Sequence, residues 1–338
     1  MTETLHHPPP SRQPVGDPPP PACRPVEDAY YPPRMETSKF IWMDGAMVPW
    51  EDATVHVLTH ALHYGTGVFE GIRAYETPDG TAVFRLQEHM ARLHRSAKAY
   101  AIPLAHPVDE LIEAARQIIS VNELEAGYIR PLAFHELGAI GLNPTAAKVK
   151  TIIAAWRWGT YLGDEGVAKG IRVRVSSWRR IHQSSFIPIA KGTGQYLNSV
   201  MAKQEAVATG YDEALLLNMD GNISEGSGEN LFLVRDGVLM TPPIASGILD
   251  GITRASVVQL LSDEGVTVRE ATLTRGDLYA ADELFLTGTA AEVTPIREVD
   301  DRPVGKGEPG PVTRRAQDLF AQAVTGKLPA YRSWLTFV

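Results

Sequence analysis

The sequence predicts a mixed α/β chain folded in two halves, and three observations carry that prediction. Short apolar or alternating runs of strand type recur along the chain, interleaved in each half with amphipathic helical patterns. A polar, glycine-punctuated stretch from Gly159 to Gly170 falls near the middle and reads as a linker. At 338 residues the chain can form one large domain or two medium ones, each with a core of its own.

The first 33 residues hold eleven of the 25 prolines and almost no apolar pattern, so they are expected to stay disordered. They lack the apolar segment of a secretory signal, and Glu3, Asp17, Glu27 and Asp28 argue against a transit peptide. The Pro18 to Pro21 run offers a segment for an aromatic-lined groove, although a plain polar tail needs no partner.

Lys39 to Pro49 reads as a hairpin around Asp44-Gly45, a strong turn pair. Next come His56, His60 and His63, of which His56 and His60 would share a helix face. With no cysteine nearby, hydrogen-bonded structural histidines are the simpler reading, so no metal is expected. Gly65, Gly67 and Gly71 matter more, because they let backbone approach something closely between the aromatic walls of Tyr64 and Phe69.

Thr81 to Phe84 is a strand, and Leu86, Met90, Leu93, Ala97 and Tyr100 line one helix face. Arg92 falls off that stripe: a solvated helix arginine, or, aimed inward, a bidentate phosphate ligand. A helix over Val108 to Asn122 and strands at Tyr128 to Leu132 and Thr151 to Trp156 complete the first half.

The second half opens with a strand, Ile171 to Ser176, followed by the lysine segment and a helix ending at Gly210. Leu197, Val200, Met201, Gln204, Val207 and Ala208 recur on that helix at three- and four-residue spacing. An antiparallel meander is expected over Glu213 to Asn218, Ile223 to Val234 and Val238 to Thr241, with turns at Asp220-Gly221 and Asp236-Gly237. Within it, Glu225 stands among small residues that would let a flat ligand lie close, the alternative being a glycine bulge with an exposed acid. Gly247 to Thr253 leads into a helix over Arg254 to Asp263, whose start is either ordinarily capped or an anion site. Glu283 to Ala291 is a strand ending in a small-residue turn, and no internal repeat is visible.

The net charge of −8 argues against nucleic acid or an anionic membrane as partner, and no apolar run approaches membrane-spanning length. The single cysteine, Cys23, excludes a disulfide framework and suits a reducing cytoplasm.

Chemistry concentrates on Phe186 to Ser199, where Lys191 follows an apolar run and precedes Gly192-Thr193-Gly194. Partial burial disfavours an ammonium and makes lysine a nucleophile able to form a Schiff base, whereas a lone surface lysine would merely snorkel. An aldehyde for Lys191, a carboxylate partner at Glu225 and a phosphate for Arg92, Thr253 and Thr289 together describe pyridoxal 5'-phosphate. Its ring nitrogen works as an electron sink when a carboxylate keeps it protonated, and the freed lysine amine can then move the substrate's α proton.

The stretches HALHYGTGVFEGIR, VFRLQEHMARL, YIRPL, AKGTGQY, ISEGSGENLF, GITR and TGTAAEVTPI run from about Lys39 to the C-terminus. Through them the chain resembles the class IV aminotransferases of fold type IV, and among these the bacterial branched-chain amino acid aminotransferases. The resemblance implies an α+β architecture: a tail over 1–36, a small N-terminal α/β domain over 37–160 and an interdomain loop over 161–170. A large cofactor-binding domain with a mostly antiparallel, barrel-like sheet would follow over 171–338. It implies that Lys191 is the Schiff-base lysine, that Glu225 pairs with the ring nitrogen and that Tyr196 bonds the phenolic oxygen. Arg92, the Ile252 amide, Thr253 and Thr289 would cup the phosphate. Phe69, Gly71, Tyr128, Arg130, Tyr161 and the Thr289-Ala290 amides would line the substrate pocket, with Arg73 paired to Arg130 and Tyr64 reaching a partner subunit's site.

The implied activity is cytoplasmic, ping-pong amino transfer between leucine, isoleucine or valine and 2-oxoglutarate, by a homodimer or an oligomer of dimers. One pocket would take an aliphatic side chain in one half-reaction and the glutamate carboxylate in the other. Other activities of the same fold are a D-amino acid transaminase, an amine transaminase or an aminodeoxychorismate lyase; a different class altogether is an idle binding protein. Gln195 departs from the asparagine of many relatives, and the proline-rich tail has no counterpart among them.

Overall fold

The computed structural model describes residues 36–138, 140–159 and 162–338. The proline-rich tail expected over 1–36 therefore lies almost wholly outside the described residues, as does Tyr161.

The first sheet starts with the hairpin β1 (Phe40–Met43) and β2 (Ala46–Pro49), which turns at Asp44-Gly45, both with positive φ. Helix α1 (His60–Tyr64) is short; His56 precedes it, so the two histidines do not share a helix. Strands β3 (Gly67–Phe69), β4 (Ile72–Thr77) and β5 (Gly80–Phe84) follow, then helices α2 (Leu86–Ala99) and α3 (Val108–Val121) and strands β6 (Gly127–His135) and β7 (Val149–Trp156). Every pairing in this sheet is antiparallel. The apolar stripe of α2, namely Leu86, Met90, Leu93 and Ala97, packs with Leu111 and Ile118 of α3 against Ile72, Val83, Ile129 and Ile153 of the sheet.

Residues 159–170, read from sequence as a polar linker, contain a helix, α4 (Gly163–Lys169). Beyond it lie β8 (Ile171–Arg179), α5 (Tyr196–Ala208), β9 (Glu213–Leu217), β10 (Ile223–Gly226), β11 (Asn230–Arg235) and β12 (Val238–Thr241). Then come α6 (Ile252–Asp263), β13 (Val268–Glu270), α7 (Arg275–Tyr279), β14 (Glu283–Gly288), β15 (Glu292–Val299), β16 (Arg302–Pro303), α8 (Pro311–Val324) and β17 (Leu335–Phe337). The second sheet runs β10-β9-β8-β15-β14-β11-β12-β13 with β16 on β15. It is mostly antiparallel; β8 is parallel to both β9 and β15, and β12 to β13. The last strand, β17, returns to pair with β5 of the first sheet.

Two expectations need correction. The meander is two hairpins, β9-β10 and β11-β12, because the chain turns at Ser227–Glu229 and β11 pairs with β14. The Gly226 amide donates to the Glu229 carbonyl across that turn at 2.7 Å. The apolar stripe of α5 also faces outward: Leu197, Val200 and Val207 are exposed, while Ser199, Ala202 and Ala206 are buried. Small side chains let this helix lie close on β8 and β9, with Ala202 and Ala206 against Ala214 and Leu216.

The core is continuous between the sheets. Phe232 and Phe285 stack 4.9 Å apart under α6 and α8, in one cluster with Ala82 and Phe84 of β5 and Phe320 of α8. The other face of the second sheet buries Ile171, Val173, Leu231, Leu286 and Ile296. Among the described residues no helix is long and apolar enough to cross a membrane.

Candidate active site

Lys191 stands where two glycine loops meet. The Thr193 amide donates to the Gly67 carbonyl (2.8 Å) and the Gly194 amide to the Gly65 carbonyl (3.1 Å). The Thr193 hydroxyl also donates to the Gly65 carbonyl at 2.8 Å. A Cβ added to Gly65 would come within 2.5 Å of the Gly194 Cα, so what these glycines approach is each other. The Lys191 amide donates to Ser96 Oγ of α2 (3.0 Å), and its carbonyl accepts from the Phe69 amide (3.0 Å). At the other end of the side chain, Nζ donates to the Tyr196 hydroxyl at 2.7 Å and lies 4.9 Å from the centre of the Phe69 ring.

Across the cleft Glu225, near the end of β10, is only 5 % exposed. Its Oε1 pairs with Arg180 Nη2 at 2.7 Å, and its Oε2 accepts from Asn230 Nδ2 (3.0 Å) and the Leu249 amide (2.9 Å). Burial pushes its carboxyl above the usual range, and Arg180, the Leu249 amide and Lys191 partly offset that. A second buried carboxyl, Glu229, is pushed up to about 8 by burial and the neighbouring Glu213 charge, against the opposing pull of Lys203.

Arg92 lies inward, 4 % exposed. It forks onto Glu70 through Nε (2.7 Å) and Nη2 (2.8 Å), while Nη1 donates to the Asp250 carbonyl at 2.7 Å. That carbonyl lies two residues before α6, whose N-cap Gly251 provides no side-chain cap, so the Ile252 and Thr253 amides begin the helix uncapped. Arg92, Lys191, Tyr196, Glu225, Ile252, Thr253 and Thr289 all line one cleft. The Thr287 hydroxyl, on the same cleft, is buried without a partner.

The residues expected to contact substrate form a wall beginning at Phe69, whose ring lies 4.8 Å from that of Tyr196. The Arg130 guanidinium sits 4.9 Å over Phe69 and 5.3 Å over Tyr128, and its Nε is buried without a partner. Gly71 makes room for Tyr128: a Cβ there would stand 1.9 Å from the phenol oxygen. Ala290 follows Thr289 in the turn before β15 and is partly exposed. Arg73 pairs in register with Tyr128, two residues along β6 from Arg130, and bonds Glu292 (3.2 Å) and the Trp158 and Gly159 carbonyls (each 3.4 Å). Tyr64 is 40 % exposed and packs on His60 rather than lining the cleft. His60 bonds Thr66 Oγ1 (2.8 Å) and the Gly141 carbonyl (2.7 Å), and His63 the Val57 carbonyl. No group of three or more His, Cys, Asp or Glu among the described residues is arranged to hold a metal.

A family model described as amino-transferase class IV matches residues 67–299, the span that carries nearly all of this cleft. The chain belongs to the class IV aminotransferases. This class IV chain is 49 % identical to the branched-chain-amino-acid aminotransferase of Pseudomonas aeruginosa, over 88 % of this chain and 97 % of that one. The crystal structure of the Escherichia coli branched-chain amino acid aminotransferase superposes with a TM-score of 0.87 at 50 % identity, covering 88 % of this chain and 99 % of that one. The branched-chain amino acid aminotransferase of Thermobaculum terrenum, solved in its PLP-bound holo form, gives 0.83 at 37 % identity, covering 88 % and 98 %.

Sequence reasoning assigned no role to several residues that shape this class IV site. Arg180 follows β8, which runs three residues beyond the expected strand end. Asn230, Glu70 and Glu229 sit inside the quoted motifs, and alternation along a strand is the signal that would have turned Glu70 away from Phe69 and Gly71. His89 shares the α2 face of Met90 and Leu93 only because it pairs with Glu70 at 2.7 Å.

Proposed function

We propose that this chain is a pyridoxal 5'-phosphate-dependent transaminase of branched-chain amino acids, using 2-oxoglutarate as acceptor in a ping-pong cycle. The observation that carries the reading is the facing pair in one cleft: a lysine amine bonded to Tyr196 and a buried carboxylate clamped by Arg180 and Asn230. The donor set fits the cofactor, with an amine for the aldehyde, a carboxylate for the ring nitrogen, and Arg92, Thr253, Thr289 and uncapped helix amides for the phosphate. The unpartnered Thr287 hydroxyl beside them suits a polar occupant.

The cofactor, when bound, supplies the aldehyde and an electron-withdrawing ring that stabilises negative charge at the substrate Cα. Lys191 would hold it through Nζ, and that amine would take the substrate's α proton and return it as general base and acid. Tyr196 fixes the position of Nζ. Glu225 would hold the ring-nitrogen proton, and Arg180 favours the ionised carboxylate that this would need. Phe69 and Tyr128 provide apolar surface for a branched side chain. Arg130, with a buried N–H to satisfy, takes the glutamate carboxylate in the second half-reaction. Arg73 ties β4 to the start of β15 through Glu292.

The reading includes a homodimer working in the cytoplasm. It is supported by Leu62, Tyr64, Ile140 and Leu142, all exposed apolar side chains on and near α1. The single cysteine supports the compartment. In this arrangement Tyr64, turned away from its own cleft, completes the partner's pocket.

The test is amino transfer from leucine, D-alanine and a chiral amine to 2-oxoglutarate with added cofactor. Glutamate formation with leucine alone is expected. Activity with D-alanine or the amine instead would overturn the substrate assignment while leaving fold and cofactor intact.

A further inference from the structure

We propose that Glu70 is a positioning residue that aims Arg92 at the cofactor phosphate and fixes the substrate wall to the phosphate cup. The proposal rests on the reading of Arg92 as a phosphate residue.

Glu70 and Gly71 bridge β3 and β4, which pair with β6 in one continuous register (Phe69 with Leu132, Ile72 with Ile129), so alternation turns the Glu70 side chain to the face opposite Phe69 and Gly71. There it is fully buried and surrounded by partners. Oε1 accepts from Arg92 Nε, and Oε2 accepts from Arg92 Nη2 while also bonding His89 Nδ1 at 2.7 Å. Its own amide donates to the Pro131 carbonyl of β6 at 2.9 Å, next to Arg130. Burial alone would push this carboxyl up, but the charge and hydrogen bonds of Arg92, with those of His89, hold it well below the usual carboxylate range. It is therefore an anion held in the core by a guanidinium.

A guanidinium carries five N–H donors in a rigid plane. Glu70 takes two of those on Arg92 and the Asp250 carbonyl takes a third. One N–H remains on each terminal nitrogen, and these are what Arg92 can offer a ligand. Because the plane is rigid, the bidentate contact with Glu70 sets the direction of both. An arginine without this partner would keep its charge and lose its aim. The consequence extends to the substrate, since the peptide that anchors Arg92 also carries Phe69 and Gly71.

The experiment compares the affinities of full-length apoprotein for pyridoxal 5'-phosphate and for pyridoxal, which lacks the phosphate, read by the visible absorption of the lysine-bound aldehyde. Inorganic phosphate is added in a further series with pyridoxal. Glu70→Gln keeps the shape but leaves one acceptor oxygen for three donors, two on Arg92 and one on His89. It should weaken pyridoxal 5'-phosphate binding by roughly tenfold to a hundredfold, the range of a lost charge-assisted hydrogen bond. Pyridoxal affinity should stay within about twofold, and phosphate should no longer assist it. Glu70→Asp, which keeps the charge and shortens the reach, guards against misfolding and should show the same phosphate-selective loss to a smaller degree. Equal weakening of both aldehydes would make Glu70 a merely structural residue and overturn the proposal. An Arg92→Ala control that is not phosphate-selective would instead remove the reading of Arg92. Selectivity lost in Arg92→Ala but retained in both Glu70 variants would leave that reading standing and sink the role of Glu70.

Discussion

Arg180 Nη2 stands 2.7 Å from Glu225 Oε1, with both side chains all but excluded from solvent. The arginine immediately follows β8 and the carboxylate lies in β10, strands separated in the sheet by β9. Burial favours the neutral acid at Glu225, and Arg180 is the largest of the influences that oppose it.

Replacing Arg180 by methionine should push the Glu225 carboxyl higher still and leave it a weak partner for a ring-nitrogen proton. Breaking a buried pair by removing one member typically costs about 3–5 kcal/mol, so the melting temperature should fall as well. Glu225→Gln should retain the cofactor and slow turnover. Rates of single half-reactions in the two variants, with calorimetry, check this; an Arg180→Met protein with normal rate and stability would remove Arg180 from the site.

Gly71→Ala should displace the Tyr128 ring, because the new methyl would stand 1.9 Å from the phenol oxygen. A displacement of that order costs about a hundredfold in catalytic efficiency. The loss should appear in kcat/KM for amino and oxo acids, with cofactor absorbance unchanged. Unaltered kinetics would show that Tyr128 is not a pocket wall.

Glu229 gives a pH prediction. Its carboxyl is pushed from an ordinary value of 4.5 up to about 8, by burial and Glu213 first, with Lys203 opposing and Glu225 adding to the rise. Between those values the folded chain holds a proton that the unfolded chain has released, so this group's contribution to stability is lost as pH rises through the window. Glu229→Gln should flatten that part of the curve. Thermal unfolding of both proteins from pH 5 to 9 checks it, and parallel curves would contradict the prediction.

What could be read from the sequence was what local pattern encodes. Lys191, Glu225 and Arg92 stood in motifs whose chemistry pointed to one ligand, and the structure brings all three to one cleft. The hairpin at Asp44-Gly45 and the stripe of α2 followed from turn preference and periodicity. Arg180, Glu70 and Asn230 act across 45, 22 and 5 residues of sequence; strand pairing in the second sheet brings the first together with its partner, and the packing of α2 on the first sheet the second. On α5 periodicity misled for a physical reason: close packing on β8 and β9 selects alanine and serine, leaving the larger apolar side chains outside. The meander failed at the turn of Gly226 onto Glu229, where a backbone bond across three residues redirects the chain.

The central claim is that Lys191 anchors the cofactor, and borohydride reduction of the cofactor-loaded protein followed by peptide mass spectrometry tests it most directly. The phosphopyridoxyl mass should fall on Lys191, and Lys191→Ala should take up none. A stable adduct on Lys203 or another lysine, with Lys191 unmodified, would contradict the account.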